Sequence, residues 1–185
     1  MSINLQKGQN APVGSVQQFT VGMGWDANAT QTGVDFDLDA SAFMLGANGK
    51  VLSNQHFIFY NNLESPEGCV VHTGDNLTGE GEGDDESLKV NMSKLPQGCE
   101  SIVFVVTIHD AAARGQNFGQ VSNAFIRIFD TNSNEEIMKF DLGEDFSIET
   151  AVEFGTLYQR EGTWKFRAVG AGYSDGLERF VNQYT

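Results

Sequence analysis

Positive charge is scarce in this sequence: 11 Lys and Arg stand against 25 Asp and Glu, a formal net charge of −14. Direct binding to nucleic acid or to an anionic membrane surface needs a basic footprint, so both are excluded as expectations. Cysteine is nearly absent too. The two present, Cys69 and Cys99, have no CxxC partner, which leaves no zinc knuckle and no thioredoxin-like motif. They read as buried thiols in a reducing compartment. No apolar run approaches the ~20 residues of a membrane-spanning helix, so no insertion is expected. The opening residues, around the lone Lys7, carry no hydrophobic stretch of a secretory signal. A soluble, non-exported protein is the expectation.

Apolar residues are plentiful by contrast: 40% of 185, including 14 Phe. A chain of this length can bury roughly two-thirds of its unfolded surface. There are 21 Gly and only 3 Pro, which suggests many tight turns between ordered segments. Short strand-like runs recur at residues 19–21, 38–45, 55–60, 87–92, 101–109, 124–129, 137–142, 152–158 and 164–169. Residues 102–108, IVFVVTI, form a β-branched run suited to a strand buried on both faces. Helical signals are confined to Ala111-Ala112-Ala113-Arg114, closed by Gly115, and to the stripe Leu177, Phe180, Val181 and Tyr184. No fixed-period repeat or long linker appears. The expected architecture is one all-β domain over residues 1–185: a β-sandwich of two antiparallel sheets, about ten strands, with a few short helices.

The acidic residues are gathered into two places. In Asp35-Phe36-Asp37-Leu38-Asp39-Ala40-Ser41, an extended backbone puts Asp35, Asp37, Asp39 and Ser41 on one face at a spacing of roughly 6–7 Å. Phe36 and Leu38 then pack inward. Like charges so close repel unless a cation sits among them, although a charge-guarded edge strand would look the same. The second gathering, residues 74–86 (GDNLTGEGEGDDE), intersperses carboxylates with glycines that can turn carbonyls inward. Calcium takes six to eight such oxygens at about 2.3–2.6 Å. The only soft donor nearby is His72, which disfavours zinc and copper. Between the two lies Phe57-Ile58-Phe59-Tyr60-Asn61-Asn62, an apolar run ending in two amides that either ligate or begin a turn.

Other motifs fit poorly. A phosphate-cradling glycine loop needs Lys or Arg. An EF-hand begun at Asp35 would place Ala40 at the glycine position and Gly46 at the closing glutamate. Begun at Asp75, it would put Leu77 and Gly79 at the third and fifth ligand positions. Any cation site is therefore assembled from separated segments.

These same segments closely resemble the TerD family of tellurium-resistance and stress-response proteins. The resemblance rests on Gly22-Met23-Gly24-Trp25-Asp26, FDLDASAF (36–43), FIFYNN (57–62), HTGDNLTGEGEGDDE (72–86), VTIHDA (106–111), NFGQVSNAFIR (117–127) and WKFRAVGAGY (164–173). One departure is a shortened stretch, residues 12–18, where the family carries a longer strand. The resemblance implies a β-sandwich binding calcium at an acidic surface, a cytoplasmic location, and partnership with other Ter-type proteins, some membrane-embedded. Resemblance and donor chemistry together nominate Asp37, Asp39, Asn61, Asn62, Asp75, Asp84, Asp85 and Glu86 as ligands. Carbonyls of Gly79, Gly81 and Gly83 join them, with Asp26 and Asp35 outside and two calcium ions as the expected cofactor.

The leading expectation is thus a calcium-binding interaction module, not an enzyme. A metal- or thiol-dependent enzyme is the rival. However, His56, His72 and His109 adjoin no nucleophile motif, and His109-Asp110 ends a core strand. Direct tellurite scavenging through Cys69 and Cys99 is the third reading, weakened by having only two separated thiols.

Overall fold

The computed structural model describes residues 3–26, 33–74, 84–141 and 146–185. Twelve strands lie among them: β1 (Ile3–Asn4), β2 (Asn10–Pro12), β3 (Gln18–Gly24), β4 (Leu38–Leu45), β5 (Phe57–Ile58), β6 (Val70–His72), β7 (Glu86–Asn91), β8 (Ser101–Ile108), β9 (Phe125–Asp130), β10 (Glu136–Asp141), β11 (Ala151–Arg160) and β12 (Thr163–Tyr173). Two α-helices accompany them, α1 (Ala111–Arg114) and α2 (Gly176–Tyr184). One sheet runs β1-β10-β9-β3-β7-β6 and the other β2-β12-β11-β8-β4-β5. Every pairing is antiparallel except β1 with β10. The expected sandwich is what forms, with three further strands of two or three residues, β1, β2 and β6, that carry too little periodicity to be seen in the sequence.

Alternation explains the layers. Phe19, Val21 and Met23 of β3, with Leu88, Ile126 and Ile128, face Leu38, Ala40, Ala42 and Met44 of β4 and Ile102, Phe104 and Val106 of β8. Phe104 anchors the middle, 5.9 Å from Phe154 and 6.2 Å from Phe166 between ring centres. Room for Phe166 comes from Gly155, where any Cβ would overlap its ring, at a bulge in β11. Such a bulge places two residues opposite one and bends the strand. β3, which leads into Trp25, is seven residues long and paired along its length with β7 and β9.

A second, smaller core lies outside the β8–β4 sheet. Val103, Val105, Phe43, Leu45 and Ala151 point away from the sandwich and are covered by Phe180 and Tyr184 of α2. The stripe read from the sequence therefore docks as expected, and β8 is buried on both faces. Residues 55–60 differ from expectation. Ser53 to His56 closes a tight turn, with the His56 N–H on the Ser53 carbonyl and the Ser53 hydroxyl 2.8 Å from His56 Nδ1, leaving a strand of only two residues. The local side-chain bond competes with the ladder there.

Candidate functional site

The acidic segment before β4 behaves as its alternation requires, but it is buried and not displayed. Phe36 and Leu38 enter the core, while Asp37 and Asp39 point the other way and keep only 7% and 5% of their surface. Asp35 lies exposed at the start. Asp37 Oδ2 is 3.7 Å from Arg114 Nη1, and Asp39 Oδ2 is 3.4 Å from His109 Nδ1. Backbone also ties this segment down, the His109 N–H donating to the Asp37 carbonyl at 2.8 Å. Both carboxylates thus have a cation-forming neighbour at ion-pair distance, longer than the charge-assisted hydrogen bonds of strong pairs. Asp39 also lines a groove of about 500 Å³ between the Tyr60 ring, the residues around α1 and the start of α2.

Across the open edge of the sandwich, three consecutive carboxylates enter β7 and go to three places. Asp84 lies outside the first sheet, where its Oδ1 and Oδ2 accept from Arg127 Nε at 2.7 Å and Nη2 at 3.0 Å. Asp85 sits at the end of β3, its Oδ2 accepting the Trp25 N–H at 2.9 Å. Glu86 points between the sheets and is 2% exposed. Its Oε2 accepts the Ala40 N–H at 2.6 Å, capping a donor on β4 beyond the reach of the short β5.

His72 stands beside that same oxygen, Nε2 to Oε2 at 3.5 Å. The Gly74 N–H donates to His72 Nδ1 at 3.2 Å, so the ring proton sits on Nε2 and faces Glu86. Burial pushes the Glu86 carboxyl up to about 7, partly offset by the His72 and Ala40 hydrogen bonds; Asp39 adds repulsion. Burial also raises the Asp85 carboxyl, against the Trp25 N–H that lowers it. One atom stands out: Glu86 Oε1 is buried with no hydrogen-bond partner. An orphaned anionic oxygen is costly in an apolar interior.

The amides are placed differently from the acids. Asn61 is exposed, and Phe59 and Asn62 exchange backbone hydrogen bonds across a tight turn. The Asn62 side chain donates to the Gln55 and Phe57 carbonyls. Asp26 accepts from Asn123 Nδ2 at 2.6 Å, away from β4. Asp75, Gly79, Gly81 and Gly83 lie outside the described residues. Among the described residues, no three His, Cys, Asp or Glu side chains form a ready-made metal cage. Sequence reasoning did not single out Arg127, Gly22 or the Trp25 and Ala40 N–H groups. The alternation Ile126-Arg127-Ile128 puts Arg127 on the outer face, but only the register reveals what it meets there.

Fold and geometry together define an acidic β-sandwich whose candidate site offers hard oxygen donors at one edge. The orphaned Glu86 oxygen and the buried Asp37 and Asp39 fit a hard cation in donor type. The TerD domain matches residues 1–184, and the chain belongs to the TerD family. Among its relatives is a tellurium resistance protein TerD from Alcaligenes sp, 56% identical over 188 residues, covering 100% of this chain and 97% of that protein. General stress protein 16U of Bacillus subtilis (strain 168) is 55% identical with the same coverage. A solved structure described as a homologue of telluride resistance protein (TerD), from Streptomyces coelicolor A3(2), shares the fold. Its TM-score is 0.75 at 20% identity, over 90% of this chain and 95% of that one.

Proposed function

We propose that this protein is a calcium-binding, non-catalytic interaction module that contributes to tellurium resistance and the stress response. The observation that carries the cation reading is Glu86, a buried carboxylate with one oxygen lacking any hydrogen-bond partner, close enough to the buried Asp39 to be destabilised by its charge. Calcium, when bound, would add positive charge where acidic groups outnumber basic ones. Asp37, Asp39, Asp85 and Glu86 are the described residues to hold it, with Asp75 and the carbonyls of Gly79, Gly81 and Gly83 as further donors. The role in resistance and stress draws support from the names of relatives 55–56% identical over the whole chain. Work in the cytoplasm alongside other Ter-type proteins belongs to the same proposal. No described helix is long and apolar enough to cross a membrane. The groove beside Asp39 offers a partner a concave surface.

Two chemical rivals fare worse on geometry. His109 faces Asp39 with Nδ1 and Asp110 with Nε2, at 3.4 and 3.6 Å, so both ring nitrogens look onto carboxylates instead of a nucleophile. Burial pushes the Cys69 and Cys99 thiols up to about 12 and about 11, which leaves almost no reactive thiolate at neutral pH.

Thermal unfolding in calcium, magnesium and sodium chloride of matched ionic strength tests the proposal. A ligand that binds only the native state adds roughly 2.7 kcal/mol at a hundredfold excess over Kd. The melting temperature should rise clearly with calcium, less with magnesium, and not with sodium. A sodium effect equal to that of calcium would reduce the site to charge screening.

A further inference from the structure

Asp84, Asp85 and Glu86 are adjacent in sequence, yet their carboxylates point outward, along the edge and inward. Something must hold the backbone for that fan to form. In the β3–β9 ladder Arg127 lies directly opposite Gly22, so both belong to the outer face of the first sheet. Gly22 has no side chain, and the Asp84 carboxylate occupies the space a Cβ would take, in overlap with all three carboxylate atoms. There it meets the Arg127 guanidinium in a two-point contact, 2.7 and 3.0 Å. The guanidinium also lies over the Phe129 ring, 4.9 Å from its centre, which steadies it from the far side.

We infer that Arg127 and Gly22 are positioning residues for the cation site, with Asp84 as the tether between them. This rests on the calcium reading above. With Asp84 pinned, the Asp85 N–H reaches the Met23 carbonyl at 2.8 Å and its carboxylate reaches the Trp25 N–H. Glu86 then falls opposite Met23, on the inward face, and meets Ala40. A one-residue slip would turn Glu86 outward, because side-chain direction alternates along a strand. Both Asp84 oxygens are occupied and its charge is matched, so among the three it has least to offer a cation.

The sign of one effect separates positioning from simple electrostatics. Arg127 is a positive charge near a proposed cation site, so by Coulomb's law its removal should strengthen calcium binding. Positioning predicts the reverse. Calcium affinity by calorimetric titration should fall about tenfold or more in Arg127→Met, the range seen when groups that orient metal ligands are lost. Arg127→Lys keeps the charge but loses the two-point contact, and should fall between. Gly22→Ala changes no charge and should weaken binding as Arg127→Met does.

Hydrogen exchange in the calcium-free protein supplies a readout that needs no metal. The Trp25 and Ala40 amides should lose protection in Arg127→Met and in Gly22→Ala. If Arg127→Met binds calcium as tightly as the wild type or tighter, or those two amides stay protected in both variants, the inference is overturned. Should Arg127→Met not fold, Gly22→Ala decides alone. A wild-type protein that takes up no calcium overturns the reading beneath, while the amide measurement still decides whether these residues hold the fan in place.

Discussion

The outward face of β4 has two halves that solve the same problem in different ways. Toward its C-terminal end, Phe43 and Leu45 are covered by Phe57 and by Phe180 and Tyr184 of α2. Phe43 stacks on Phe57 at 4.3 Å, and Phe57 on Phe59 at 4.3 Å. Toward its N-terminal end the positions in phase are Asp39 and Ser41, just as buried, and the Ser41 hydroxyl makes no hydrogen bond. The aromatic half is stabilised by apolar area and close packing, which need nothing from solution. The acidic half places negative charge out of water, which is costly unless charge of the other sign arrives. One strand thus carries a self-sufficient end and, under the function proposed, a conditional one.

The largest expected effect sharpens that contrast from the aromatic side. Phe180 is fully buried, its ring 6.5 Å from Phe43 and 5.4 Å from Tyr173. Phe180→Ala should cost about 3–5 kcal/mol by urea unfolding, the range for large-to-small changes in a core. The loss should be the same with and without calcium. A loss seen only in calcium would mean the two halves are coupled, and the contrast would fail.

The next effect comes from the acidic side and has the opposite dependence. Replacing both acids, Asp37→Asn with Asp39→Asn, should leave the calcium-free protein as stable as before or more so, because repulsion among the carboxylates is relieved while each amide keeps an oxygen that can accept a hydrogen bond. In calcium at a hundredfold excess over Kd, the same variant should lack most of the roughly 2.7 kcal/mol increment. Equal destabilisation in both conditions would make these carboxylates purely structural.

What the sequence could reveal divides along the same line. The inward turn of Phe36 and Leu38 at the start of β4 was legible because they alternate with Asp35, Asp37 and Asp39, while Ala40, Ala42 and Met44 continue the same face only once the strand is paired. Helix α2 was legible from four apolar residues at helical spacing. The burial of Asp37 and Asp39 was not, because the neighbours they meet, Arg114 and His109, are brought to them only by the fold. Likewise Asp84, Asp85 and Glu86 read as one acidic run. Their separation is set by the register of β3 with β7 and β9, a property of paired strands that no single segment encodes. Strands β1, β2 and β6 are illegible for the same reason: their pairing, not their composition, defines them.

The smallest effect isolates the Glu86 carboxyl by pH. Burial raises it to about 7 from an ordinary value of 4.5, chiefly through desolvation. Between those limits the folded calcium-free protein holds a proton that the unfolded chain has released. Stability therefore falls as pH rises through this window and levels off above it. Glu86→Gln mimics the protonated form: its amide oxygen can accept from both Ala40 and His72, as Oε2 does now. Near pH 4.5 the two proteins should unfold at the same urea concentration. By pH 8 the glutamine protein should be the more stable in the absence of calcium. Calcium should then reverse the order, because it restores the wild type by matching the charge that glutamine lacks. If the two curves stay parallel from pH 4.5 to 8, Glu86 is ionised throughout and the acidic half is no more conditional than the aromatic one.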